Sequence, residues 1–201
     1  MTSRHQHAIR AFFGPRAEDW ERMTVRDIAQ IERTVTDCAH RHGSTVLDLG
    51  CGTGRAVPAL RRAVGPEGCV IAIDVTPEMV RVGRAADGRG ALAQFIVADV
   101  HRLPVASESV DAIHAQGILP HLADPAAALR DWRRVTRCGG RLAVFHAIGR
   151  VQLAAIHQST PSDDDVLADG RLRRLLADSG WVVDSIEDAT DRFLALARRG
   201  D

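Results

Sequence analysis

The chain has 201 residues, with 26 arginines balanced by 26 acidic residues, nine histidines, and no lysine, tyrosine or asparagine. Zero formal net charge leaves no electrostatic footprint for a nucleic-acid partner, and no apolar run reaches the ~18 residues of a membrane span. The missing residue types close Schiff-base chemistry, the lysine-dependent phosphate loop and the Tyr-Lys proton relay of short-chain dehydrogenases.

Residues 17–42 are predicted as one amphipathic helix, because Trp20, Met23, Val25, Ile28, Ile31 and Val35 recur at three- and four-residue steps. A strand over 45–49, a helix over 54–64, a strand over 69–73, a helix over 77–86 and a strand over 93–97 follow. A strand over 110–115, a helix over 124–135 and a strand over 141–146 continue the alternation. Thr76 before Pro77 and Asp124 before Pro125 read as helix caps with a first-turn proline. Beyond residue 146 come a short helix over 150–158, an acidic loop over 159–165, a helix over 169–179, and strands over 181–186 and 192–197 paired as a hairpin. This order predicts a single α/β domain over residues 1–201, a doubly wound parallel sheet covered on both faces. Its expected parts are an N-terminal helical lid (1–42), a ligand-binding core (45–146) and a substrate-side segment with the final helix and hairpin (147–201). Right-handed crossovers place Gly50, Asp74, Asp99, Gln116 and His146 at one rim.

The most informative segment is Val46-Leu47-Asp48-Leu49-Gly50-Cys51-Gly52-Thr53-Gly54-Arg55, an apolar strand running into a glycine-rich turn. A turn whose backbone touches a ligand tolerates no Cβ and often needs positive φ. Dinucleotide loops space their glycines as G-x-G-x-x-G to receive a pyrophosphate, whereas these glycines fall at 50, 52 and 54. Asp48 would repel a phosphate and welcome an ammonium. S-adenosylmethionine has that ammonium and no phosphate.

The same segment resembles the first motif of the class I S-adenosylmethionine-dependent methyltransferases, and the resemblance extends over residues 45–146. Val70-Ile71-Ala72-Ile73-Asp74 is a second strand ending in an acid, and the resemblance gives Asp74 the ribose hydroxyls, with Val75 and Met79 beside it. Phe95 to Val100 is a third such strand, whose Asp99 and Val100 amide would hold the adenine. Ser109-Val110-Asp111-Ala112-Ile113-His114 followed by Ala115-Gln116 resembles the fourth strand, with Ala115 and Gln116 facing the methionine part. Arg134-Val135-Thr136-Arg137-Cys138-Gly139-Gly140-Arg141-Leu142 resembles the turn into the fifth strand, with Cys138 where proline is usual. The family fold is a seven-stranded, mostly parallel Rossmann-like sheet with an antiparallel C-terminal strand. Asp48, Gly50, Cys51, Gly52 and Gly54 complete the implied cofactor set.

Three histidines collect at the expected rim: His121 in Pro120-His121-Leu122, His146 at the end of strand five, and His157 in Ile156-His157. Together with Phe12-Phe13, Ala17, Trp20 and His146-Ala147-Ile148-Gly149-Arg150, they resemble a subset of small bacterial methyltransferase-like proteins. His5, His7, His40, His42, His101 and His114 receive no role. The implied activity is methyl transfer to an oxygen, nitrogen or sulfur atom of a small molecule. His121 is expected as general base, His146 and His157 as substrate-positioning groups or, with His121, as ligands of a divalent metal. Phe13 and Trp20 would stack on the acceptor and Arg150 would clamp a carboxylate. A histidine- or metal-assisted lyase, cyclase or hydrolase on the same fold, and a cofactor-binding sensor without turnover, are the alternatives. The polar N-terminus and four cysteines without a C-x-x-C pair fit a cytoplasmic protein, monomeric or homodimeric, acting without nucleic acid or membrane.

Overall fold

The computed structural model describes residues 3–200; Met1, Thr2 and Asp201, the outer ends of the expected domain, lie outside the described residues. Strands β1 (Thr45–Leu49), β2 (Cys69–Asp74), β3 (Gln94–Val97), β4 (Val110–Gln116), β5 (Thr136–His146), β6 (Trp181–Ala189) and β7 (Arg192–Arg199) form one sheet in the order β3-β2-β1-β4-β5-β7-β6. The first five are parallel, and β7 runs antiparallel to both β5 and β6. The expected architecture is therefore present. All five parallel strands end on one edge, and the order reverses between β1 and β4, where α/β sheets open a ligand crevice.

Helices α1 (Ser3–Phe13), α2 (Trp20–Met23) and α3 (Ile28–Asp37) precede β1, while α4 (Val57–Val64), α5 (Pro77–Ala85), α6 (Arg89–Leu92) and α7 (Pro125–Val135) fill the crossovers. Helix α8 (Arg150–Ile156) follows β5, and α9 (Asp169–Asp178) precedes the hairpin. The single helix expected over 17–42 is broken: short 3₁₀ turns at Gly14–Arg16 and Val25–Asp27 separate α1, α2 and α3. Ile31 and Val35 of α3 are buried, but Met23 and Val25 are exposed, so the apolar spacing does not carry through the break as one buried stripe.

Strand alternation sorts the core onto two faces. Leu47 and Leu49 pack with Leu129, Trp132, Leu172 and Leu176 of α7 and α9. Val46, Val70, Ala112 and Phe145 pack with Ile31, Val35, Leu60 and Val64 of α3 and α4. The buried indoles are satisfied, Trp132 Nε1 donating to Val100 O at 2.9 Å and Trp181 Nε1 to Leu129 O at 3.0 Å. Asp124 caps α7 as expected, accepting from Ala127 N at 2.9 Å. Thr76 does not cap α5 with its side chain; its amide instead donates to Asp74 Oδ1 at 2.8 Å. The Cys138-Gly139-Gly140 turn is absorbed into β5 as an irregularity, where Thr136 and Arg141 face Val110 and Ala112.

Candidate active site

The glycine loop leaves β1 under tight backbone control, Gly50 N and Cys51 N donating to Ile73 O at 2.9 and 3.1 Å. Gly50, Gly52 and Gly54 have φ of +68°, +54° and +74°, a region that penalises any side chain. Their surroundings differ. A Cβ on Gly54 would lie 2.6 Å from Phe95 Cζ, and one on Gly50 would lie 3.0 Å from Ile118 Cβ. A Cβ on Gly52 would meet only the Trp20 indole nitrogen at 3.5 Å, its Cδ1 at 3.9 Å and Met79 Sδ at 4.0 Å. Gly54 and Gly50 thus serve packing, whereas Gly52 opens toward the lid. Cys51 is buried, and desolvation pushes its thiol well above its ordinary pKa.

Three carboxylates stand along this rim in three states. Asp74 accepts from Gly52 N at 2.9 Å and from Thr76 N at 2.8 Å, yet burial still raises its pKa. Asp99 accepts from Gln6 Nε2 at 2.8 Å and from His101 N at 2.9 Å, and it pairs with His101 Nδ1 at 2.8 Å. Burial alone would raise Asp99, but these bonds hold it below the usual carboxylate range. Asp48 is 1% exposed, and neither of its oxygens meets a donor among the described residues. Burial first, then the Asp74 charge, pushes its pKa to about 7 against the opposing pull of Arg55. An orphaned buried carboxyl beside a loop with glycine at 50, 52 and 54 fits the ammonium-bearing cofactor read from the sequence. Of the remaining expected cofactor residues, Val75 offers its carbonyl at the rim, Met79, Val100 and Ala115 are buried, and Gln116 O lies 3.3 Å from the Cβ position of Gly50.

The N-terminal segment straps this rim. Gln6 reaches Asp99, Arg10 Nε donates to Val75 O at 2.8 Å, and His5 Nε2 donates to His121 O at 2.8 Å. Phe13 meets Trp20 edge-on at 5.5 Å and His121 edge-on at 5.9 Å. Two ion pairs missed by the sequence reading fasten α2 and the turn after it to the glycine loop. Buried Arg89 holds Glu21 at 2.7 and 3.0 Å and donates to Thr53 O at 2.9 Å, while Thr53 Oγ1 donates to Glu21. Burial would raise the Glu21 carboxyl, but the Arg89 and Thr53 hydrogen bonds and the Arg89 and Arg55 charges hold it below its ordinary value. Arg55 donates to Thr24 O at 2.7 Å and to Asp27 at 3.2 Å. The one sequence signal for these pairs was Arg55 itself, at the end of the glycine motif.

His121 ends a 3₁₀ turn at Leu119–His121 that follows β4. Burial lowers its pKa, followed by the charges of His157 and His5. His146, 6% exposed, is lowered to about 4 by burial and then by His121 and His157. Its ring meets Phe193 edge-on at 6.4 Å, and its Nε2 has no hydrogen-bond partner among the described residues. His157 ends α8 and is exposed. The three expected histidines are close enough to feel one another's charge, and His5 joins them. They do not form a metal centre: among the described residues no three His, Cys, Asp or Glu side chains converge on a metal position. Arg150 also departs from expectation. It donates to Ser162 O at 2.7 Å and pairs with Asp165 at 3.3 Å, and its amide donates to Asp188 at 2.9 Å, so protein groups occupy the guanidinium expected to clamp a substrate.

Residues 47–144 match the family described as a methyltransferase domain. An uncharacterized 37.1 kDa protein of transposon TN4556 from Streptomyces fradiae is 35% identical over 164 residues, covering 76% of this chain and 48% of that protein. A ubiquinone/menaquinone biosynthesis C-methyltransferase, UbiE, from Hahella chejuensis is 36% identical over 115 residues, 56% of this chain and 46% of that one. The chain thus spans about half the length of these relatives. A crystal structure of an S-adenosylmethionine-dependent methyltransferase from Aquifex aeolicus shares the fold, with TM-score 0.76, 22% identity, and coverage of 92% of this chain and 97% of that one. Glycine loop, strand-end acids, reversed sheet order and these likenesses agree: the chain belongs to the class I S-adenosylmethionine-dependent methyltransferase family.

Proposed function

We propose that this protein transfers the methyl group of S-adenosylmethionine to an oxygen, nitrogen or sulfur atom of a small molecule, with His121 as general base. The observation that carries this reading is the row Gly52, Trp20, Phe13, His121, in which each ring touches the next from the glycine loop to the histidine rim. When bound, the cofactor supplies a methyl already activated on a sulfonium. Asp48 would then hold its ammonium, Asp74 its ribose and Asp99 its adenine, each from the end of a different strand. The chain's remaining task is to orient the acceptor, which supplies roughly 7–11 kcal/mol of a bimolecular barrier, and to remove its proton.

A depressed pKa keeps the His121 imidazole neutral at pH 7, ready to accept that proton. His146 and His157 face the same rim and position the acceptor, while Phe13 and Trp20 cover it and exclude water. The lid over this site comes from short helices of the same chain, which favours a small acceptor. We place the protein in the cytoplasm as a monomer or homodimer; its four cysteines are free thiols, and among the described residues no helix is long and apolar enough to cross a membrane.

Mass spectrometry of the purified protein for bound S-adenosylhomocysteine, followed by product analysis on a panel of small phenols, amines and thiols, tests the reading. Bound cofactor product and a methylated acceptor support it. Cofactor bound without transfer to any acceptor would leave a sensor, and loss of binding would remove the cofactor assignment.

A further inference from the structure

Helix α2 is a single turn of four residues, none of them buried. A helix this short does not hold itself together in water, and most helical stability in proteins comes from a packed apolar face, which α2 lacks. Side chains at its two ends place it instead. Arg89 sends both terminal nitrogens to the Glu21 carboxylate, at 2.7 and 3.0 Å, and Thr53 Oγ1 donates to the same group. Just past α2, Arg55 holds Thr24 O at 2.7 Å and Asp27 at 3.2 Å. Between these two grips stands Trp20, whose indole nitrogen lies 3.5 Å from the Cβ position of Gly52. The glycine whose open side faces the lid is thus covered by a ring whose own place depends on Glu21.

The loop half of this clamp is rigid. Thr53 is 0% exposed, and α5 packs so closely that a Cβ on Gly83 would lie 2.8 Å from Thr53 O. Arg89, 6% exposed, donates to that carbonyl at 2.9 Å, and its Nε has no hydrogen-bond partner among the described residues. Asp87 lies 4.0 Å from the guanidinium on a side chain that is 90% exposed, where solvent screens the attraction. Glu21 is therefore the main compensation for a buried cation. Lifting α2 off the loop strands that charge, which is costly, while the Glu21 side chain, 37% exposed in the clamp, is rehydrated.

We propose that Glu21 is a positioning residue: held by Arg89 and Thr53, it keeps the Trp20 indole over Gly52 and makes α2 the door of the cofactor site, so that its release from Arg89 sets the rate at which cofactor and its product exchange. This role rests on the cofactor reading above. The clamp joins protein groups only, so it is made alike with the site empty or filled. Weakening it therefore speeds entry and exit together and cancels from the equilibrium constant. A residue that touches the ligand behaves differently, because its loss speeds exit alone.

Stopped-flow tryptophan fluorescence with S-adenosylhomocysteine tests this. The chain has no tyrosine and three tryptophans; Trp132 and Trp181 are buried, so Trp20 is the indole that solvent and ligand reach. Charge-assisted hydrogen bonds are roughly twice as strong as neutral ones, and Glu21→Gln keeps the shape of the side chain while removing its charge. Both the association and the dissociation rate should rise about tenfold in Glu21→Gln, with the dissociation constant held within about twofold. Acrylamide quenching of the ligand-free protein should rise in Glu21→Ala, which removes the carboxylate altogether. A merely structural ion pair would lower the melting temperature and leave rates and quenching as they are. Unchanged rates, acceleration of dissociation alone, or unchanged quenching overturns the proposal. If Glu21→Gln does not fold, Thr53→Val, which takes one hydrogen bond from Glu21 and leaves the ion pair, decides on the same readings. Failure of S-adenosylhomocysteine to bind the wild-type protein removes the cofactor reading itself, whereas binding with unaltered rates in the variant overturns the door alone.

Discussion

Gln6 Nε2 donates a 2.8 Å hydrogen bond to Asp99 Oδ2, fastening the first helix to the carboxylate that lies just past β3. That carboxylate is the one the family resemblance assigns to adenine, so a lid side chain uses an acceptor the cofactor would claim.

Gln6→Ala removes this competitor. A hydrogen bond to a charged partner contributes about 1.5 kcal/mol or more, so S-adenosylhomocysteine should bind several-fold tighter to the variant in titration calorimetry. Weaker binding would mean that Gln6 helps to hold the ligand.

Gly52 and Gly54 share a left-handed backbone but not a neighbourhood, and alanine separates the two effects. Gly52→Ala incurs only the conformational penalty of about 1–2 kcal/mol in urea unfolding, while cofactor binding is lost as the methyl group stands before Trp20. Gly54→Ala also drives a Cβ into the Phe95 ring, adding about 1–3 kcal/mol of overpacking. Equal stability losses in the two variants would contradict this division.

Asp74→Ala should cost both fold and ligand. Its two oxygens hold the amides of Gly52 and Thr76, so its removal orphans two donors and destabilises by about 1–3 kcal/mol for each one kept from water. Cofactor affinity should fall at the same time. A variant with native melting temperature and native affinity would show that the carboxylate supports neither loop nor ribose.

The histidine rim predicts the acid limb of the reaction. A base active when neutral loses activity as pH falls through its pKa, and His121 lies below the ordinary imidazole value of about 6.5. Turnover should be flat near neutrality and decline only on the acid side of that value. His121→Ala should lower turnover by about 10²–10⁴ with little change in cofactor affinity. A pH–rate profile unchanged in shape by the substitution would assign the base elsewhere.

The same burial makes acid destabilising. His40, His114 and His146 sit at about 4, 3 and 4 in the fold but near 6.5 when unfolded. Between pH 6.5 and 4 the unfolded chain therefore binds protons that the native state refuses. Asp48 acts in the opposite sense, holding a proton up to about 7 in the fold, so the net difference is about two protons. Stability should fall by roughly 1–3 kcal/mol per pH unit over this range. Urea unfolding at pH 7, 6 and 5 with constant free energy would rule this out.

How much of this was legible in the sequence depends on the range over which each feature is determined. Strand β1 and its glycine loop are local, and period and turn chemistry were enough to place them. The hairpin of β6 and β7 followed from two apolar runs around a short turn. The segment 17–42 misled because three- and four-residue apolar spacing fits a helix even where, as at Met23 and Val25, the side chains are exposed and the helix is interrupted. Arg150 misled for another reason: its partners Asp165 and Asp188 were visible as residues, but their convergence is tertiary. Glu21 and Arg89 are 68 positions apart, and no local pattern joins them.

Strand β7 lies between β5 and β6 although it follows both in sequence. His146, at the end of β5, is paired with Phe193, so the wall beneath the histidine rim is missing until that late strand emerges. From residue 146 to residue 192 a ribosome adding ~5–20 residues per second needs about 2–9 s. For that time β5 presents Leu142, Val144 and Phe145 along an unpaired edge, the kind of surface that recruits other strands. The nascent sheet is thus vulnerable to aggregation in the interval before β7 is made, and a chaperone that shields β5 then would protect the fold better than one acting before β5 emerges.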